Sequence, residues 1–427
     1  MSTVREIHSE ALGDSCYEVK HPSGLTVMVY PKEGYSTTYA IFGTNYGSID
    51  TVIKTAGQEP RTIPEGTAHY LEHKLFESEE LDAFERFAKT GASANAYTSF
   101  DKTCFLFSCA GNFADNLRIL LDFVQHPYFT EQTVQKEQGI IGQEIRMYQD
   151  EPGWEVFFNL MKCLYVKHPV KIDIAGTVES ISHITADLLY DCYNNFYSLN
   201  NMVLAVAGNT TVEEVVSVVD EVIKEKPAIP VERADYGEPA EVASHRKEES
   251  LAVSMPLFAL GFKENWERPV RTLREKLVAN ILLDYIAGEM SPLYNRLLNE
   301  GLINTSFGYE YFTGYGYTAT IFEGESKDPD AVADAIKQEI ARIKRDGLDQ
   351  QEFDRILKMS YGKAIMDYND IDGLTNDMVA AHFEGWDMFE DIAIYQNLTL
   401  ADAEEQLKRE FDAETCAISI IRPKEGD

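Results

Sequence analysis

Basic residues are scarce in this chain: 38 lysines and arginines stand against 71 aspartates and glutamates in 427 residues, a formal net charge of −33. So large an acidic excess argues against nucleic acid and against anionic membrane as partners. It also removes the reading of a metal-sensing regulator, which would need a basic face for DNA. Long apolar runs are missing too. The stretch 251–262 is short and broken by Ser254 and Pro256, so no membrane span is expected. The first twenty residues carry no apolar core of a secretory signal, and the expected location is cytoplasmic. Cysteine pairs are absent as well. Cys16, Cys104, Cys109, Cys163, Cys192 and Cys416 include no Cys-x-x-Cys, which argues against a thiolate metal cluster and reads as buried, reduced thiols.

What remains is an ordinary globular composition, 44% hydrophobic and 26% charged, in a chain long enough for two domains. The acidic excess reads first as a solvated surface, and second as an acidic interior that attracts basic peptides. Histidine is rare, with 9 in the chain, yet two of them fall in His69-Tyr70-Leu71-Glu72-His73. On a helix, positions four apart face the same way, so both imidazoles can address one metal ion. Glu72 lies on the flank of that pair, where a carboxylate can reach a metal-bound water. Zinc hydrolysis needs nitrogen ligands, an open coordination position and a base beside the water. The bland alternative is a helix face with two hydrogen-bonded histidines and a solvated glutamate. The context favours a helix: Pro64, Glu65 and Gly66 precede Thr67, the expected N-cap, and Leu71, Leu75 and Phe76 supply the apolar stripe.

A catalytic zinc site needs a third protein ligand. The stretch 130–150 reads as a helix starting at Thr130, with Val134, Ile141 and Ile145 on one side. Glu137 and Glu144 lie two turns apart on a shared face. They read either as a solvated acidic face or as a ligand with an outer carboxylate.

The inverted motif resembles the inverzincins, the pitrilysin/insulinase family of zinc metallopeptidases that includes mitochondrial processing peptidase. In that family the two histidines and a glutamate roughly 70–80 residues downstream bind zinc, and the motif glutamate activates water. The resemblance therefore implies one Zn2+ per chain held by His69, His73 and Glu144. It makes Glu72 the base and Glu137 the outer carboxylate. The run Asn95-Ala96-Tyr97-Thr98 looks like the family's Asn-Ala-x-Thr strand, a sheet edge that pairs with substrate backbone. That implies substrate contacts at Asn95, Ala96 and Thr98. His168-Pro169, Gly176-Thr177 and the stretch 201–208 look like later family signatures, so the likeness covers about residues 20–225. The stretch 72–77 and the chain length look most like the YmfH-like group of Gram-positive bacteria. The implied activity is a zinc metalloendopeptidase that hydrolyses extended peptides. The alternative is a scaffold or assembly subunit that keeps the fold without catalysis.

Periodicity breaks at 226–249, where Pro227, Pro230 and Pro239 sit among charges. The expected organisation is an N-terminal zinc-binding domain over 1–226, a linker over 227–249 and a C-terminal domain over 250–427. The order of elements partly repeats after the linker. With the resemblance, this implies an α+β fold of two similar domains, each a largely antiparallel sheet with helices packed on it. The second half lacks the histidine–glutamate motif, so no metal is expected there. One departure stands out. Family members acting alone carry an Arg and a Tyr in a stretch like Leu-Arg-Glu-x-x-Gly-Leu-x-Tyr. Here Leu298 and Asn304 occupy those places, with Arg296 and Tyr309 nearby but out of register. The resemblance thus implies a homodimer, or a heterodimer with a related subunit carrying the Arg/Tyr pair.

Overall fold

Local chemistry sets the ends of the elements in this computed structural model, which describes residues 2–54, 59–79, 81–224, 227–265 and 268–424. Met1, Lys226 and Asp427, at the limits of the expected domains, lie outside the described residues. The strands are β1 (Thr3–Ser9), β2 (Asp14–Lys20), β3 (Thr26–Pro31), β4 (Thr38–Thr44), β5 (Val52–Ile53), β6 (Arg61–Thr62) and β7 (Ser93–Thr98). They continue with β8 (Thr103–Cys109), β9 (Met202–Gly208), β10 (Arg246–Leu251), β11 (Leu257–Lys263), β12 (Gly308–Gly314), β13 (Tyr317–Glu325) and β14 (Cys416–Pro423). The helices are α1 (Thr67–Leu75), α2 (Ala83–Thr90), α3 (Phe113–Gln125), α4 (Glu131–Gln149), α5 (Pro152–Leu164), α6 (Val178–Ile181), α7 (Ala186–Phe196) and α8 (Val212–Val222). After them come α9 (Leu273–Ala287), α10 (Pro292–Asn299), α11 (Pro329–Asp346), α12 (Gln350–Asp367), α13 (Ile371–Glu384), α14 (Glu390–Asn397) and α15 (Leu400–Leu407). Among the described residues no helix is long and apolar enough to cross a membrane.

The chain forms two compact units. One holds Met1–Ile145, Asp173–Ala234 and Ile365–Glu390. Its seven-stranded sheet runs β1-β2-β3-β9-β4-β8-β7, antiparallel except for the parallel pair β3–β9. Strand position follows composition. β9, MVLAVAG, is buried at every residue and lies inside the sheet, while β1, TVREIHS, is mostly exposed and forms an edge. A strand buried on both faces needs cover on both. One face meets the aromatic core around Phe76, Phe105 and Phe123, where the Phe76 and Phe123 rings are 5.1 Å apart. The other face is covered by α13, which packs on β9 and β4. Gly43 on β4 leaves room for it: an added Cβ would sit 3.5 Å from Val379 and 3.7 Å from Phe383.

The second unit holds Arg146–Ile172, Asp235–Ala364 and Asp391–Asp427. Its five-stranded sheet runs β10-β14-β11-β13-β12, with β10–β14 the parallel pair. Here α5 covers β14 and β11. An added Cβ at Gly261 would lie 2.8 Å from Leu164 and 3.0 Å from Leu160, so a strand glycine admits the helix. The two-domain α+β architecture with largely antiparallel sheets is thus present. The compact units are not contiguous in sequence, however, in contrast to a cut at the linker. The first half supplies a helix to the second unit and the second half supplies one to the first, because each sheet has a face that its own half leaves uncovered.

The expected linker also contains structure. Residues 246–249 belong to β10, whose polar sequence RKEESL hides it from an apolar search. It is held by the β14 ladder and by charge pairs, Arg246 with Asp330 at 2.7 Å and Arg422 with Glu248 at 2.7 Å. Glu238 accepts the backbone N–H groups of Val166, Lys167 and His168 at 2.7–2.8 Å, and Lys263 Nζ at 2.6 Å. Another difference concerns α1. Gly66, not Thr67, is the N-cap, and its φ of 85° is left-handed, a conformation that favours glycine. Thr67 is the first helical residue, and its hydroxyl donates to the Pro64 carbonyl at 2.6 Å. An added Cβ at Gly66 would stand 2.3 Å from the Ala175 carbonyl oxygen. Gly66→Ala therefore combines a left-handed penalty with a backbone clash, and is expected to lower stability by about 2–4 kcal/mol in urea denaturation. A loss below ~0.5 kcal/mol, the range of neutral surface changes, would contradict this packing.

Candidate metal centre

Two helices of the first unit meet over the histidine pair. α1 turns His69 and His73 to one side, with ring centroids 4.6 Å apart and planes at 62°. α4 starts where the Thr130 hydroxyl accepts the Thr133 N–H at 3.2 Å, and it carries Glu137 and Glu144. His69 Nε2 lies 3.8 Å from Glu144 Oε1, and His73 Nε2 lies 3.5 Å from Glu144 Oε2. One donor atom from each residue falls within 4.8 Å of the others. Tetrahedral zinc with bonds of ~2.0–2.1 Å holds its ligand atoms roughly 3.3 Å apart, so this set needs only a small contraction to take the ion.

Protonation fits the same reading. Burial, with a smaller contribution from His73, pushes the His69 pKa down to about 3, so its imidazole is neutral at neutral pH, as a metal ligand must be. His69 Nδ1 is buried without a hydrogen-bond partner among the described residues. His73 Nδ1 lies 3.0 Å from Glu137 Oε1, and Glu137 is only 7% exposed. A proton on Nδ1 donated to that carboxylate leaves the Nε2 lone pair facing Glu144. The hydrogen bond to His73 holds the Glu137 carboxyl below its usual range despite burial. For His73, burial opposes the charge, but the bond to Glu137 and the charges of Glu72 and Glu144 outweigh it and raise the pKa.

Glu72 projects beside the two histidines. Burial raises its carboxyl above the usual range, and hydrogen bonding from Thr98 partly offsets that. The Thr98 hydroxyl donates to Glu72 Oε2 at 2.6 Å. Thr98 ends β7, which is an edge of the seven-stranded sheet. The turn after it closes with Ser99 N–H donating to the Lys102 carbonyl at 2.8 Å. Backbone directions alternate along an antiparallel pair. The 93–98 strand therefore directs the N–H and C=O groups of Ala94, Ala96 and Thr98 away from β8, and those of Asn95 into the ladder. Asn95 is exposed, and its side-chain oxygen accepts the Ala96 N–H at 2.9 Å.

The structure thus gathers His69, Glu72, His73, Glu137, Glu144 and Thr98 into one site, and sets Ala96 and Asn95 along the adjoining strand. Sequence reasoning passed over Tyr70 and Lys74, which lie fully buried on the same helix. The Tyr70 hydroxyl donates to the Val134 carbonyl of α4, and Lys74 pairs with Glu77. A tyrosine and a lysine on the buried side of a short helix were the available signal. In the second unit, Leu298 is exposed and Asn304 donates to Glu325 at 2.8 Å. Arg296 is exposed, and the Tyr309 hydroxyl donates to Asp284 at 2.5 Å beside a cavity of about 280 Å3.

Zn2+ affinity measured by chelator competition should fall far more in Glu144→Ala than in Asn95→Ala, with Glu137→Gln losing roughly 10- to 100-fold. In the wild-type protein the affinity should rise with pH through the His73 titration, since the proton must leave before the metal binds. Equal losses for Glu144→Ala and Asn95→Ala would sink the ligand assignment.

Comparison with known proteins gives the chain a family. Residues 56–178 match the pattern described as insulinase (peptidase family M16), and residues 183–360 match that of the peptidase M16 inactive domain. The chain is 37% identical over 427 residues to the uncharacterised zinc protease YmfH of Bacillus subtilis (strain 168), covering 99% of this chain and 100% of that one. It is 25% identical to the uncharacterised zinc protease YmxG of the same organism, over 70% of this chain and 74% of the relative. An M16-like chain from Alicyclobacillus acidocaldarius superposes with a TM-score of 0.92 at 34% identity, covering 99% of both chains. A protease from Helicobacter pylori shares the fold, with a TM-score of 0.81 at 16% identity over 99% of this chain and 100% of that one. With its inverted histidine motif on α1 and a full-length relative at 37% identity, this chain belongs to the insulinase family of zinc proteases, peptidase family M16.

Proposed function

We propose that this protein is a zinc-dependent endopeptidase that hydrolyses extended peptides, with Glu72 as the base. The observation that carries the reading is the convergence of His69, His73 and Glu144 with a half-buried Glu72, next to a sheet edge. His69 Nε2, His73 Nε2 and a Glu144 oxygen would hold the ion. Bound zinc supplies Lewis acidity, polarising the scissile carbonyl and acidifying water. The outward backbone groups of Ala94 and Ala96 pair with an extended peptide and fix its register rather than its side chains. Glu72 takes a proton from the attacking water and passes it to the leaving amine. Glu137 keeps His73 in the tautomer that binds through Nε2.

The chain is also proposed to act as the zinc-bearing member of a two-chain assembly. Two observations support this: Leu298 and Asn304 stand where Arg and Tyr hold substrate in relatives that act alone, and Tyr309 is engaged by Asp284. The completing subunit is either a second copy or a related chain carrying the Arg/Tyr pair.

Glu72→Gln keeps the size and much of the hydrogen bonding of the base but removes its basicity. With about one zinc per chain retained, it should lower cleavage of a peptide library by roughly 100- to 10,000-fold. If the zinc-loaded wild type and Glu72→Gln cleave equally, the hydrolase reading fails and a scaffold role stands in its place.

A further inference from the structure

We infer that Thr98 is a positioning residue that orients the Glu72 carboxylate, rather than a contact for substrate; this rests on the reading of Glu72 as the base. A threonine hydroxyl has one proton to give. Here it goes to Glu72 Oε2 at 2.6 Å, so the same hydroxyl cannot also donate to a peptide. Behind it lies Thr103 Oγ1 at 3.5 Å, fully buried, whose own proton is directed to the Tyr46 carbonyl at 2.9 Å. The half-buried Thr98 hydroxyl is thus engaged on the side of Glu72 and Thr103.

The frame behind Thr98 is stiff. Threonine is β-branched and restricted at χ1. The strand end is fixed by the pairing of Thr98 opposite Thr103 and by the turn that follows. Ser48 N–H donates to the Ser99 carbonyl at 3.0 Å, and Ile49 N–H to the Phe100 carbonyl at 2.9 Å. Gly47 lets these segments touch, since an added Cβ would lie 2.5 Å from the Phe100 backbone. Arg233 clamps the same turn, pairing with Asp50 at 3.0 Å and donating to the Asp101 carbonyl. Glu72, by contrast, has a flexible side chain on a short helix. Holding the carboxylate from this frame fixes the direction in which it meets water. A base oriented in advance needs little reorganisation when it takes a proton.

Thr98→Val keeps shape and strand preference and removes the hydroxyl, while Thr98→Ser keeps the hydroxyl. In zinc-loaded protein, Thr98→Val should lower kcat roughly 10- to 100-fold with KM and zinc content unchanged, and Thr98→Ser should retain most of the activity. A crystal structure of Thr98→Val should show the Glu72 carboxylate displaced. A rise in KM with kcat unchanged would make Thr98 a substrate contact and overturn the inference. So would a Glu72 that stays in place in the valine variant. Should wild type and Glu72→Gln prove equally active, the peptidase reading fails by itself, and the position of Glu72 in the Thr98→Val crystal still decides this one. If Thr98→Val does not fold, Thr98→Ala is read by the same two criteria.

Discussion

The hydrogen bond between His73 Nδ1 and the buried Glu137 is the contact on which the metal centre depends. A carboxylate that is only 7% exposed is costly unless a partner compensates it. Here the partner is a histidine on another helix, one of the pair proposed to hold zinc. The bond sets the register of α1 against α4, and two turns further along α4 Glu144 arrives within 3.5 Å of His73 Nε2. Tyr70 fixes the same register independently, through its bond to the Val134 carbonyl. A slip of one helical turn would lose both bonds and carry Glu144 out of reach.

The sheet supplies the other half of the arrangement. β7 lies at an edge, so it can offer backbone groups outward, while its last residue reaches back to Glu72. Strain-free placement of that last residue requires the turn at 99–102 to be packed tightly, and Gly47 and Arg233 provide this. Arg233 lies in the stretch that reads as a linker, so that stretch contributes to the site. The inner strands need cover on the far face, and α13, from late in the sequence, gives it.

Much of this was readable before the structure. The inverted histidine motif and the glutamates two turns apart stand in residue spacing, and the two similar α+β domains follow from the family resemblance taken with the partly repeated order of elements. Three things were not readable. β10 escaped because four of its six residues, RKEESL, are charged, and a strand stabilised by ion pairs leaves no apolar period. The N-cap was placed at Thr67 because hydroxyls cap helices well, whereas close approach of the Ala175 backbone demands glycine at 66. The third is which sheet α13 covers. Ile371, Leu374, Thr375, Met378 and Val379 follow a helical period between Asp370 and Gly385, but they read as an ordinary helix with no hint of which sheet they cover. The exchange of α5 and α13 between the two units is a tertiary fact, invisible to local pattern. Thr98 was recognised as a site residue, but spacing alone cannot say whether its hydroxyl faces substrate or Glu72.

The central claim is that His69, His73 and Glu144 hold one zinc ion while Glu72 and Glu137 stand outside its coordination. Anomalous diffraction at the zinc edge from zinc-loaded crystals tests it directly. The account predicts one peak per chain, about 2.0–2.2 Å from His69 Nε2, His73 Nε2 and a Glu144 oxygen. A peak bonded to Glu72 or Glu137, or one lying away from the histidine pair, would contradict it.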